Sequence, residues 1–140
     1  MLQVITAGTA GGRVTLTAAG SIIDGNASSS NVTASSLVAS AATGIGSGNA
    51  LETLVASLQA TNSTSGDIEV ANNQGSSSLL TIAGITNDGG SVVVTNNGHI
   101  AVGGAVKASG GVSITASSPL TVSASITAAA DVTLTATDSS

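Results

Sequence analysis

The residues that could serve catalysis are few in this sequence. His99 is the only histidine, and it stands in Asn96-Asn97-Gly98-His99, which has the composition of a turn before a strand. The base of a catalytic triad needs an oriented acid and a nucleophile beside it, and no such set is evident around His99. We therefore interpret His99 as a solvent-facing corner residue and predict that the chain is not an enzyme.

The carboxylates are scattered through the chain rather than paired. Asp67 and Asp131 each precede an alternating apolar pair, where an aspartate side chain can bond turn amides. Calcium takes six to eight oxygen ligands, and the Gly-Gly-x-Gly-x-Asp nonapeptide of calcium-binding β-rolls is absent. The Gly-Gly pairs also lack the Lys-Ser/Thr sequence of a phosphate loop. We therefore expect neither a metal nor a cofactor.

The charge of the chain limits its partners. Two basic residues, Arg13 and Lys107, stand against seven acidic ones, for a net charge of −5. Two cations cannot form the basic stripe that neutralises phosphates, and they give little attraction to an anionic membrane surface. No stretch approaches the roughly 20 apolar residues that span a bilayer. We expect no nucleic acid as a partner and no membrane insertion.

The chain is organised by a repeat of 20 residues in residues 89–136. Each repeat contains three apolar pairs, separated by internal steps of eight, six and six residues. The pairs that begin the repeats are Val92/Val94, Val112/Ile114 and Val132/Leu134. A fixed period of short alternating segments is typical of a repeat architecture.

Composition restricts the kind of core that these segments can form. The chain has no Phe, Tyr, Trp or Cys, and 41% of its residues are hydrophobic while 6% are charged. Ordinary globular cores obtain much of their buried area from aromatic residues. A core of Val, Ile, Leu and Ala suits a narrow, uniform structure, and the apolar content argues against a disordered chain.

These features together predict an all-β parallel β-helix with triangular coils of about 20 residues. In each segment alternate residues face the interior and the solvent, and the corners fall at Gly103-Gly104, Gly110-Gly111 and Ala129-Ala130. We expect glycine there because it tolerates positive φ. Seven coils at most, stacked at about 4.8 Å, give a rod of roughly 30 Å. An antiparallel sandwich is the alternative, but a sandwich gains nothing from an identical period.

We predict one β-helix over residues 1–140, with insertions in the coils of residues 11–88 and regular coils in residues 89–140. Gly11–Ala18 resembles residues 131–136, which predicts the same structural position at both ends of the chain. Leu51–Val55 fits either a strand or a single helical turn. Residues 72–78 are interpreted as a loop that bulges from a coil.

Two segments carry a family resemblance. The sequence Gly11-Gly12-Arg13-Val14-Thr15-Leu16-Thr17-Ala18 and the stretch from Leu51 to Ile68 resemble the repeats of filamentous haemagglutinin-type adhesins. Those are large surface proteins of Gram-negative bacteria whose shafts are right-handed β-helices. The resemblance implies a right-handed coil, a secreted or cell-surface location and a role as a structural shaft segment of an adhesin or surface fibre.

The outward residues of the predicted strands suggest a second function. Regular Thr-x-Thr arrays on a flat β-helix face resemble those of ice-binding proteins, so the alternative is a binding module for ice or a carbohydrate surface. An enzyme of the pectate-lyase kind is disfavoured, because such sites need acidic clusters, basic residues and aromatic platforms. The candidate hydroxyl ladder consists of Thr15, Thr17, Thr95, Ser113, Thr115, Thr133 and Thr135.

The ends of a β-helix expose unpaired strand edges, which are templates for pairing with another chain. We therefore expect the partner of this chain to be itself, by end-to-end stacking into filaments, or the flanking coils of a longer parent chain. A host surface or carbohydrate is the further partner that the adhesin resemblance implies.

Overall fold

The computed structural model describes residues 5–6 and 11–137. They form a parallel β-solenoid of about six turns with a spacing of about 21 residues. The pairings between the strands are parallel, so the predicted β-helix is confirmed and the antiparallel sandwich is excluded. The strands are β1 Ile5–Thr6, β2 Arg13–Thr17, β3 Val32–Thr33, β4 Ser36–Ala41, β5 Leu51–Leu54, β6 Ser57–Asn62, β7 Ile68–Asn72, β8 Leu79–Asn87, β9 Val92–Asn96, β10 His99–Val102, β11 Val106–Ala108, β12 Val112–Ala116, β13 Leu120–Val122, β14 Ile126–Ala128 and β15 Val132–Ala136.

Two sheets run along the rod. The first sheet has the order β1-β3-β5-β7-β9-β12-β15, and the second has the order β2-β4-β6-β8-β10-β13, with β11 and β14 beside it. The long strand β8 pairs with β10 through its first half and with β11 through its second half. From β9 onward each coil therefore has three separate strands. In the earlier coils a single strand, such as β6, forms two adjacent sides of the coil.

The coil length is irregular at first and constant later. Equivalent inward positions in the second sheet are separated by 23, 21 and 24 residues as far as Ile82, and by 20 residues twice thereafter. The extra residues lie in loops, such as residues 73–78 between β7 and β8. The strands thus keep their stacking while the loops absorb the insertions.

The core consists of columns of aliphatic side chains parallel to the rod axis. Ile45, Leu58 and Ile68 are fully buried, and each stacks on its equivalents in the neighbouring coils. One cluster of buried apolar residues extends from Val14 to Ala116. Aromatic residues are not needed, because the stacked β-branched side chains fill a narrow interior.

Two pairs of buried asparagines lie at the ends of strands inside this core. The Nδ2 of Asn62 donates to the Oδ1 of Asn87 at 2.9 Å, and the Nδ2 of Asn72 donates to the Oδ1 of Asn96 at 3.0 Å. The same amides also bond turn carbonyls, as Asn96 does with the His99 carbonyl at 2.7 Å. A buried amide is tolerated only when it is hydrogen-bonded. The sequence predicts a loop at Asn72 and a turn at Asn96, and it gives no sign that these amides are buried.

The corner glycines serve a different purpose from the one expected. Gly103, Gly104, Gly110 and Gly111 do not have positive φ. Instead, a Cβ on Gly104 would overlap the Ala83 carbonyl of the preceding coil. The expectation of positive φ at these corners is wrong, because the constraint is the close approach of stacked corners rather than an unusual backbone conformation.

The two similar end segments occupy different positions. Gly12–Ala18 contains β2, which pairs with β4 in the second sheet, while residues 131–136 contain β15, which pairs with β12 in the first sheet. The prediction of a shared position is wrong. Any side of a coil accepts the same alternation of Val, Thr and Leu, so the number of residues in the intervening corners decides the side. Leu51–Leu54 is a strand, so the helical alternative for this segment is excluded.

The corner packing predicts different effects for two adjacent substitutions. Gly104→Ala forces the main chain of two coils apart, and we expect it to lower the free energy of unfolding by about 1–3 kcal/mol. Gly103→Ala places its Cβ 3.7 Å from Thr81 Cγ2, an ordinary contact, and should change stability by less than about 0.5 kcal/mol. Urea unfolding followed by circular dichroism measures both, and equal effects would contradict the close-approach explanation.

Candidate functional site

The structure divides the predicted hydroxyl ladder between the two sheets. Thr95, Thr115 and Thr135 are in register in the first sheet, and Ser113 is in register with Thr133 beside them. The adjoining positions in the preceding coils are Val93 and Ala71, so the hydroxyl face covers the last three coils.

Thr15 and Thr17 do not belong to this face. They lie in β2 of the second sheet, where Thr15 pairs with Val38 and Thr17 with Ser40. The prediction that they align with the other five hydroxyl residues is wrong. The number of residues in the intervening corners places the whole of β2 in the second sheet. Whether the remaining face binds a ligand stays a prediction.

A second row of hydroxyl residues lies on the outside of the second sheet, and the sequence analysis missed it. Its spacing varies from coil to coil with the insertions, so no fixed period marks it. Lys107 interrupts the row and forms an exposed ion pair with Asp88, with Nζ and Oδ1 3.1 Å apart, an arrangement worth about 0–1 kcal/mol. The row consists of Thr17, Ser40, Thr61, Thr86, Lys107 and Thr127.

A shallow depression of about 220 Å³ lies on the outside of the first sheet near its last strands. It is smaller than the roughly 300–1,000 Å³ of typical ligand pockets. Its polar side chains include Ser91, Ser113, Asp131 and Thr133. An open depression with one carboxylate resembles a flat contact surface more than a pocket that encloses a small molecule.

A polar cluster surrounds Asp24 at the turn that precedes β3. Asp24 is 6% exposed. Its Oδ1 accepts from the Asn26 main-chain nitrogen at 2.9 Å and from Asn31 Nδ2 at 2.6 Å, and its Oδ2 accepts from Asn49 Nδ2. The bond from the Asn26 main chain, followed by that from Asn31, lowers the pKa of Asp24.

Glu52 is the less favourably placed carboxylate of this region. Its Oε2 is inaccessible to solvent and has no hydrogen-bond partner. Burial raises the pKa of the Glu52 carboxyl, and the negative charge of Asp24 raises it further. The pKa values of the two carboxyl groups are thus shifted in opposite directions. Ionisation of Asp24 therefore stabilises the fold, whereas ionisation of Glu52 destabilises it.

The described residues bring no larger set of reactive groups together. Within residues 5–6 and 11–137, no three His, Cys, Asp or Glu side chains are grouped as metal ligands. His99 is the half-buried first residue of β10, and its main-chain nitrogen donates to the Ser78 carbonyl at 2.9 Å.

The fold defines the chain as a parallel β-solenoid. Comparison with protein-family models, with curated proteins and with solved structures found no match to it. In the described part of the chain, no helix is long and apolar enough to cross a membrane.

The opposite pKa shifts of the two carboxylates predict opposite effects of neutralising them. Because the pKa of Glu52 is raised above 4.5 in the folded protein, its ionisation favours unfolding once the pH exceeds that value. Glu52→Gln should therefore raise the urea midpoint at pH 7 and leave it unchanged at pH 3. Asp24→Asn should lower the midpoint at pH 7, because a depressed pKa stabilises the fold above its ordinary value of 3.8. A lower midpoint for Glu52→Gln at pH 7 would contradict this account.

Proposed function

We propose that this β-solenoid is a structural shaft segment of a secreted bacterial adhesin or surface fibre. The observation that supports this best is the continuity of its construction. Parallel pairing runs from β2 to β15, and the buried aliphatic cluster extends from Val14 to Ala116. The last two coils repeat the same 20-residue unit. A structure built of stacked equal units is a spacer whose length is set by the number of units.

The surface chemistry supports the same proposal. Outward positions carry mostly small hydroxyl residues, as in the two rows on the first and second sheets. Small uncharged side chains of this kind offer no reactive group. The resemblance to haemagglutinin-type repeats adds the extracellular location, where a shaft holds a binding region away from the cell.

The hydroxyl face of the first sheet supports a second candidate function, that of a binding module. Thr95, Thr115 and Thr135 stack at the parallel-strand interval of about 4.8 Å. Such a row presents regularly spaced hydroxyl and methyl groups to a flat ligand such as ice or a carbohydrate surface. The face is short, because Ala71 ends the row in the preceding coil.

The structural proposal predicts where the protein is found. Antibodies raised against the purified chain should label filaments on the outside of intact cells that produce it, with a cytosolic protein of the same cells as the unlabelled control. The purified chain should appear as a rod of roughly 30 Å for about six turns. Labelling only after permeabilisation would overturn the proposal.

The two candidate functions differ in their behaviour toward ice. A shaft segment should show no thermal hysteresis and no inhibition of ice recrystallisation. If the wild type is active, Thr115→Lys should remove the activity, because it obstructs the centre of the face, while Thr61→Lys on the other sheet should preserve it. That combined result would replace the structural proposal with the binding one.

A further inference from the structure

The corner between β9 and β10 contains the only Asn-Gly dipeptide of the chain, Asn97-Gly98. Asn97 is exposed, whereas Gly98 is buried against the loop of residues 73–78 in the preceding coil. A Cβ at position 98 would overlap the carbonyl oxygens of Gly75 and Ser78. The close stacking of the two coils therefore requires glycine directly after this exposed asparagine.

The side chain of Asn97 is held by the same loop. Its Oδ1 accepts a hydrogen bond from the Gly75 main-chain nitrogen at 3.0 Å. The atom that faces Gly75 must be the oxygen, because a main-chain N–H can only donate. The bond draws electron density toward Oδ1 and makes the amide carbon Cγ more electrophilic. A donor at this place also stabilises the negative charge that Oδ1 carries when a nucleophile adds to Cγ.

The main-chain nitrogen of Gly98 is the nucleophile that the covalent structure places beside this carbon. The nitrogens on either side of it are engaged with the preceding coil. That of Asn97 donates to the Asn72 carbonyl at 3.2 Å, and that of His99 donates to a carbonyl at 2.9 Å. Among the described residues, however, none accepts a hydrogen bond from the Gly98 nitrogen, which is uncommon for a buried residue. No hydrogen bond therefore has to break before this nitrogen can react.

We propose that Asn97 is a site of spontaneous deamidation in the folded protein, with aspartate as the main product. The Gly98 nitrogen loses its proton to hydroxide and attacks Cγ of Asn97. Negative charge collects on Oδ1, opposite the Gly75 donor, as the new N–Cγ bond forms. The Cγ–Nδ2 bond then breaks, and the amide nitrogen takes a proton from water and leaves as ammonia. The product is a cyclic imide, and hydroxide is regenerated.

The carbonyl of the imide that water attacks decides the product. Attack at Cγ breaks its bond to the Gly98 nitrogen, returns a proton to that nitrogen and leaves aspartate in a normal main chain. Attack at the main-chain carbonyl leaves isoaspartate, which adds a methylene group to the main chain. The Gly75 donor polarises the first carbonyl. A longer main chain would also disturb the bonds of the Asn97 and His99 nitrogens to the preceding coil. Both effects favour aspartate.

The corner after β8 offers a matched control in which the corresponding nitrogen is engaged. Asp88 is exposed and precedes Gly89, whose main-chain nitrogen donates to the Oδ1 of Asn87 at 2.9 Å. Asp88→Asn therefore creates a second Asn-Gly dipeptide on the same rod. The substitution removes only the exposed ion pair with Lys107, so the coils should remain folded. The two dipeptides then differ in whether the attacking nitrogen is free.

The experiment incubates the full 140-residue chain carrying Asp88→Asn at mildly alkaline pH, both folded and in guanidinium chloride. Mass spectrometry of proteolytic peptides then follows the exchange of NH2 for OH at each position over time. In the folded chain we expect Asn97 to convert at least about tenfold faster than the asparagine introduced at position 88. In guanidinium chloride the two should convert at similar rates. Circular dichroism verifies that the incubated chain is folded.

Labelling with an isoaspartate methyltransferase identifies the product in the unsubstituted chain. We expect aspartate to exceed isoaspartate at Asn97 when the chain is incubated folded, and the share of isoaspartate to rise in guanidinium chloride. Three results would overturn the proposal. They are an unmodified Asn97 in the folded chain after the denatured chain has converted, equal rates at positions 88 and 97 in the folded chain, and isoaspartate as its main product. This inference does not rest on the proposed function, which the antibody labelling decides separately.

Discussion

The parallel hydrogen-bond ladder between successive coils is the constraint on which the rest of this structure depends. It holds each strand about 4.8 Å from its equivalent in the next coil, so every inward side chain must stack on a side chain of compatible shape. Aliphatic columns such as Ile45 on Ile68 meet this requirement along the rod. Because the columns are narrow, Val, Ile, Leu and Ala suffice, and the lack of aromatic residues follows from the geometry rather than from a weak core.

The same close stacking explains the exceptions inside the core and at its corners. At a corner, Gly104 leaves no space for a Cβ against Ala83. Where the chain inserts a loop after a strand, the turn leaves polar main-chain groups near the interior, and buried asparagines satisfy them. Asn72 and Asn96 bond each other across coils. The Nδ2 of Asn72 also donates to the Val55 carbonyl of the preceding coil, and that of Asn96 donates to the nearby His99 carbonyl. These paired amides thus join neighbouring coils alongside the aliphatic columns.

The ladder also determines what the molecule presents to others. Along its sides the strands of successive coils are hydrogen-bonded in two sheets, and small hydroxyl side chains face outward, which suits the proposed spacer. In the last described coil β15 pairs with β12, and Leu134 is 43% exposed. In the first described coil Val14 and Ile22 are buried, while Ile23 is 49% exposed.

The sequence by itself determined the fold class, the coil length in residues 89–136 and the inward positions such as Val112 and Ile114, because strict alternation and a fixed period depend only on local geometry. It did not determine which side of a coil β2 occupies or that Thr17 belongs to a separate hydroxyl row. Nor did it reveal the buried asparagines or the tight corner at Gly104. Those features depend on how many residues each loop absorbs and on what the neighbouring coil places above and below. Only the stacked tertiary structure sets these, since each side of a coil accepts the same alternating sequence equally well.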